Sequence, residues 1–397
     1  MFSSLSVRNF RIYWFGMFIS LIGTWIQTVA QSWLVFSLTN SAFLLGIVGF
    51  LSSMPIFFLS LIGGVVADRM DKKKILIFTQ IIFMILAFAL AVLTQKNIIT
   101  PWQIMIIAVL NGVVMSFDGP TRQAIVVEMV GKSHLLNAIA LNSVAFNSSR
   151  IIGPAVCAIL VSSIGMSGCF YINGLSFFAV IAALLWIKHV HVQPVRNNSA
   201  LKDLEEGLRF IRRNKLILIL VSMVAVSSLF GISYAILMPV FAQHVLHVGL
   251  KGLGLLMSSS GIGALVAGLV LARLGNFKYK GKLLILSSIA FSIALILFSM
   301  SKTYTASLVT LFFVGGFSVM AISLVNTILQ TIVEHEYRGR IMSVFMFTFA
   351  GIMPFGNLIA GSLSQVIGVS LTIMISGIIC LAFFLAFNIL SPDLRDI

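Results

Sequence analysis

The sequence predicts an all-α protein of twelve membrane-crossing helices in two similar bundles of six. Three observations carry this: 59% of the 397 residues are hydrophobic while 9% are charged, the apolar residues fall in runs long enough to cross a bilayer, and a polar break divides the chain near its middle. A hydrocarbon core of about 30 Å needs roughly 20 apolar residues of helix. The runs are too long and continuous for the alternating strands of a membrane barrel, and open backbone cannot face lipid.

The spans fall at about 10–38, 42–67, 73–95, 101–121, 135–162 and 168–188, then 215–241, 250–272, 282–300, 304–330, 340–364 and 368–390. The first starts after Arg8 and Arg11, runs well past a signal-peptide core and lacks a small-residue cleavage pattern, so it reads as a retained span. Residues 1–190 form the expected first bundle, 191–214 a linker and 215–397 the second bundle. In the linker Leu201, Leu204, Leu208 and Ile211 recur at helical spacing, which predicts an amphipathic helix lying on the membrane surface.

The net charge of +15 reflects topology before any partner. Arg69 with Lys72, Lys73 and Lys74, Lys132, the linker, Arg273 to Lys282, and Arg338 with Arg340 all fall on alternate sides of successive spans, whereas Lys96, Lys251 and Lys302 fall in the opposite loops. Positive loops stay in the cytoplasm, so both termini are expected there and nucleic acid is not an expected partner. The three cysteines, Cys157, Cys169 and Cys380, sit in apolar stretches without ligand spacing and read as packing residues. The histidines are scattered and no phosphate-binding loop appears, so neither metal nor nucleotide cofactor is expected. Gly165-Met166-Ser167-Gly168 has the form of a serine-protease loop, but His189 and His191 lie beyond the far end of the next span. No enzyme is expected.

The halves echo one another at an offset of about 200 residues. Gln123-Ala124-Ile125-Val126-Val127-Glu128 corresponds to Gln330-Thr331-Ile332-Val333-Glu334, Gly153-Pro154 to Pro354-Phe355-Gly356, and Ile164-Gly165 to Ile367-Gly368.

After the second span comes Gly63-Gly64-Val65-Val66-Ala67-Asp68-Arg69-Met70-Asp71-Lys72-Lys73. It resembles the loop signature of the major facilitator superfamily, G-x-x-x-D-[RK]-x-G-[RK]-[RK], with Gly64, Asp68, Arg69, Lys72 and Lys73 matching and Asp71 in place of the second glycine. Gly64 would let a neighbouring helix approach, and Asp68 would face the positive end of another, together closing the cytoplasmic side. Phe117-Asp118-Gly119-Pro120-Thr121-Arg122, Leu136-Asn137-Ala138 and Arg150-Ile151-Ile152-Gly153-Pro154, with Gly23-Thr24-Trp25-Ile26-Gln27, resemble the bacterial branch that includes enterobactin exporters and macrolide efflux proteins. The resemblance implies efflux driven by the proton gradient across the bacterial inner membrane and does not identify the cargo; a drug-like compound or siderophore is the expectation. Gly153-Pro154 is also similar to the glycine-proline signature of antiporters, although Ser149, Cys157 and Ala158 replace its flanking glycines.

Ionisable residues inside a bilayer are costly. Arg150 stands mid-span, where it could hold an anionic group of a cargo, could pair with Asp118, or could bond backbone carbonyls and Asn147. Asp118 could carry the coupling proton, or could pair with Arg122 as a gate strut. Polar stripes outline an expected cavity through Gln27, Gln31, Asn111, Asn147 and Arg150 in the first half and Tyr234, Asn326, Gln330 and Asn357 in the second. The alternative reading of the same residues is that they bond helix to helix. The expected activity is export of a small amphipathic molecule by alternating access, as a monomer in the lipid bilayer, with protons as the coupling partner. An importer or facilitator is the alternative, and a membrane sensor or scaffold a remote one.

Overall fold

The computed structural model describes residues 3–187, 206, 209–275 and 277–390. Among them, every long element is helical. α1 is Arg8–Thr39, α2 Ala42–Arg69 and α3 Lys72–Gln95. Helical hydrogen bonding then runs from Pro101 to Trp186, but Gly131 (φ 64°, ψ −179°) and Gly165 (φ 69°, ψ −176°) leave helical geometry. These breaks separate α4 (101–130), α5 (132–164) and α6 (166–186). The second half holds α7 (Lys215–His244), α8 (Gly249–Leu274), α9 (Lys280–Met300), α10 (Tyr304–Ile332), α11 (His335–Ile367) and α12 (Val369–Leu390).

Eleven described stretches are long and apolar enough to cross a membrane. One of them, Ser133–Trp186, has 54 residues, about 80 Å of helix and more than two bilayer cores. Gly165 divides it, which accounts for twelve crossings. Gly368, the aligned residue of the second half, joins α11 to α12 and has φ 86°. Both turns need a positive φ that side chains resist, and both place glycine there.

Local chemistry sets the helix ends. Thr100 forms a capping box with Gln103, whose side chain accepts from the Thr100 amide at 2.8 Å, and Pro101 takes the first helical position. Asn40 caps α1 in the left-handed region with its amide on the Phe36 carbonyl at 2.7 Å. α7 is irregular. A π turn, Ser227–Gly231, and a 3₁₀ stretch, Ile232–Leu237, interrupt it. Ser233 Oγ lies 3.1 Å from the Ser228 carbonyl and 2.9 Å from the Leu229 carbonyl, and Pro239 offers no amide to the preceding turn.

The chain divides into two compact units: Met1–Asn40, Met54–Asn197 and Leu250–Gly254; and Ser41–Ser53, Asn198–Gly249 and Leu255–Ile397. The division follows the linker, except that the start of α2 packs with the second unit and the first turn of α8 with the first. In the first unit Phe10 and Tyr13 of α1, Leu76 of α3, Ile125 of α4, Ala145 of α5 and Leu184 of α6 share one core. Glycines let helices touch backbone to backbone. A Cβ on Gly63 of α2 would lie 2.0 Å from the Ser116 carbonyl oxygen of α4, and in the second unit one on Gly263 of α8 would lie 1.8 Å from the Phe312 oxygen of α10. These two crossings occupy corresponding places in the repeat.

Of the linker residues, Leu201, Leu204 and Leu208 lie outside the described residues. Ile211 is buried, Phe210 stacks on Tyr337 at 4.5 Å between centroids, and Glu206 pairs with Arg340 at 3.0 Å. The described end of the linker is therefore fastened to the start of α11.

Candidate functional site

The α2–α3 junction carries the acid-base cluster. Asp71 adopts an extended backbone (φ −62°, ψ 108°) and accepts the Lys73 and Lys74 amides at 2.9 and 3.2 Å, so it is the N-cap of α3. A glycine is unnecessary at this φ, which explains the departure from the signature. Lys72 is buried and pairs with Glu128 of α4 at 2.7 Å. Lys73 Nζ donates to the Ile187 carbonyl at the end of α6 at 2.9 Å. Asp68 and Arg69 are exposed and make no hydrogen bond or ion pair among the described residues.

The close approach expected at Gly64 is corrected: a Cβ there would meet nothing within 4 Å, and the tight contact belongs to Gly63. A one-residue step turns a helix by about 100°, so only one of two adjacent glycines can face α4.

A second cluster lies within the helices. Asp118 of α4 is 1% exposed and accepts Thr79 Oγ1 and Gln80 Nε2 of α3, each at 2.7 Å, while Arg122 Nε, one turn on, completes an ion pair. Tyr13 of α1 is fully buried beside the Arg122 guanidinium. Its hydroxyl, Arg122 Nη1 and Gln80 Oε1 are buried and make no hydrogen bond of good geometry among the described residues. Three donors on one carboxylate make a rigid tie between α3 and α4.

Among the sequence-selected polar residues, Gln27 accepts Asn173 Nδ2 of α6 at 2.7 Å and lies 3.4 Å from Gln31. Asn147 donates to the Ser143 carbonyl at 2.8 Å. Asn111 is half-buried and makes no hydrogen bond among the described residues. Tyr234 Oη lies 3.2 Å from Ser260 Oγ, and Gln330 donates to Asn326 one turn before it. Asn357 is buried against Gly49. Arg150 is half-buried and, among the described residues, pairs neither with Asp118, which Arg122 holds, nor with Asn147 or a carbonyl.

The Gly153-Pro154 pair is a packing point. A Cβ on Gly153 would lie 2.4 Å from Trp25 Cβ of α1, and one on Gly254 of α8 would lie 2.4 Å from the Pro154 carbonyl oxygen. Cys157 and Cys169 are buried with their sulfurs 3.9 Å apart across the α5–α6 turn.

Thr79, Gln80, Tyr13 and Asn173 were not among the site residues expected from the sequence, and Glu128 stood out only as part of the internal repeat. The signal for Gln80 and Asn173 was present, since each is an amide inside an apolar run. Their partners depend on helix neighbours that no spacing reveals.

Helices of crossing length, joined by short turns and tied by buried ion pairs, define a multi-pass helical membrane protein. The chain matches the major facilitator family described as transmembrane secretion effectors over residues 1–395, and it belongs to that family. It is 27% identical over 391 residues to the staphyloferrin A transporter of Staphylococcus aureus, covering 97% of each chain. It is 26% identical over 388 residues to macrolide efflux protein A of Streptococcus pyogenes, covering 94% of each. Identity to the enterobactin exporter of Shigella boydii is 24% over 339 residues, covering 84% of this chain and 79% of that one. Its fold is similar to that of the nucleoside transporter NupG (TM-score 0.75, 16% identity, covering 96% of this chain and 98% of that one) and of a bacterial homologue of the lysosomal transporter Spinster (TM-score 0.75, 13% identity, covering 98% and 97%).

Proposed function

We propose that the chain exports a small amphipathic molecule, a siderophore or drug-like compound, across the bacterial cytoplasmic membrane by proton-coupled alternating access. The observation that carries this reading is similarity along almost the whole length to a siderophore transporter and to a macrolide efflux protein. The positive loops favour cytoplasmic termini. Lys72 and Lys73 are each bonded within the first unit, whereas Asp68 and Arg69 make no such bond among the described residues and are the proposed moving part of the gate motif. Asp118 is read as a strut with Arg122, because its carboxylate accepts from Thr79 and Gln80 and pairs with Arg122 in one arrangement. Gln27, Gln31, Asn111, Asn147 and Arg150 in one half, with Tyr234, Asn326, Gln330 and Asn357 in the other, remain the proposed cargo-facing residues. The chain acts as a monomer.

The test is accumulation of fluorescent dyes, macrolides and catecholate siderophores in efflux-deficient cells, with and without a protonophore. Exclusion of a compound by the wild type, lost on adding the protonophore, supports coupled export. Faster accumulation than in empty cells would replace export with import. Asp118→Asn separates the two roles of that residue. With export per folded molecule kept, it is a strut; with abundance normal and coupling lost, it carries the proton.

A further inference from the structure

We infer that Arg150 is the anchor for a carboxylate of the cargo, so that the transported class is an amphipathic organic acid; this rests on the export reading and adds the chemistry of its substrate. Arg150 stands more than about 20 Å of helix from either end of α5, at about 1.5 Å per residue, well away from lipid headgroups. A guanidinium keeps its proton at any ordinary pH, so it cannot adapt to hydrocarbon by neutralising. It is tolerated at that depth where it meets water or a counter-charge.

Among the described residues the chain supplies no counter-charge there. Of its eleven acidic residues, all but Asp118 stand at helix ends, in the linker or beyond α12. Asp118 is fully engaged by Arg122, Thr79 and Gln80. Arg150 makes no hydrogen bond or ion pair among the described residues, and it is half-buried, so part of the residue stays accessible.

The surroundings suit an acid with an apolar body. Phe146, one turn before Arg150, meets Trp25 of α1 edge to face at 5.9 Å between centroids. Trp25 is in turn held against Gly153, nearly one turn after Arg150. Helical spacing puts Phe146, Arg150 and Gly153 on one face of α5, so this aromatic pair lies along the face that carries a planar cation whose fork matches a carboxylate through two parallel hydrogen bonds. Losing a hydrogen bond to a charged group costs about 1.5–3 kcal/mol, which corresponds to a change of about tenfold or more in affinity.

The experiment compares dansylglycine with its uncharged amide, first as uptake into energised inside-out vesicles and then as equilibrium binding to the purified full-length chain. Wild type, Arg150→Gln and Arg150→Lys are measured at matched abundance. The expected result is that Arg150→Gln lowers uptake and binding of the acid by about tenfold or more, leaves the amide unchanged, and is partly rescued in Arg150→Lys. In the wild type alone, excess unlabelled aromatic carboxylate should compete with dansylglycine while the matching amide does not, a readout independent of how the variants fold. Equal handling of the acid by wild type and Arg150→Gln overturns the proposal and leaves export standing. So does a wild type that exports uncharged or cationic compounds but neither binds nor moves carboxylates. A wild type that exports nothing from the wider panel removes the export reading, and this inference with it.

Discussion

At Asp118, two neutral donors and one cation meet a single carboxylate with 1% exposure. Removing one member of a buried ion pair is worse than removing both, because the survivor keeps its desolvation penalty. Asp118→Leu alone should lower stability by about 3 kcal/mol or more, and Asp118→Leu with Arg122→Met should recover most of it. Thermal unfolding of the purified variants measures this, and additive losses would show the pair to be uncoupled. The adjacent glycines of α2 offer a sharper contrast. A side chain at Gly63 would run into the backbone of α4, whereas Gly64 has open space. Gly63→Val should therefore cost about 1–3 kcal/mol or more, while Gly64→Val should leave packing intact. Equal melting temperatures for the two would refute the assigned crossing.

Among the elements, α3 begins where it does because Asp71 caps it. Asp71→Ala should destabilise by about 1 kcal/mol and Asp71→Asn by little, since the amide oxygen can still accept the Lys73 and Lys74 amides. Urea or thermal titration of both variants checks the order. The α5–α6 and α11–α12 turns hinge on single glycines at positive φ with extended ψ, a region other residues enter at about 1–3 kcal/mol. Gly165→Ala and Gly368→Ala should each lose stability in that range despite the free space around both positions. α7 behaves differently from its neighbours. Its serine, glycine and proline residues trade regular hydrogen bonds for π and 3₁₀ turns, and Gly356 of α11 packs directly on the carbonyls this exposes.

At the scale of the whole molecule, the one-sided basic loops underlie the proposal that both termini are cytoplasmic. Single cysteines introduced at Lys96, Lys251 or Lys302 should react with a membrane-impermeant maleimide in intact cells. Those at Lys74 or Arg213 should react only after permeabilisation. The reverse pattern would invert the topology and, with it, the direction assigned to transport. The repeat is visible in paired features of the two units: Gly63 with Gly263 as backbone crossings, and Gly165 with Gly368 as turns.

The all-helical membrane architecture, the twelve crossings and the family resemblance were legible in the residues alone, because bilayer thickness and backbone satisfaction leave few solutions for runs of this length and apolarity. The Asp118–Arg122 pair was legible as one of two options, since four residues bring side chains together on any helix. Spacing along one helix could not reveal that Thr79 and Gln80 of α3 complete that pair, that Glu128 takes Lys72, or that Gly63 and not its neighbour makes the crossing. Nor could it show that Arg150 makes no hydrogen bond or ion pair among the described residues. Those outcomes depend on the rotation and contact of one helix against another, which packing between distant segments decides and local sequence periodicity does not.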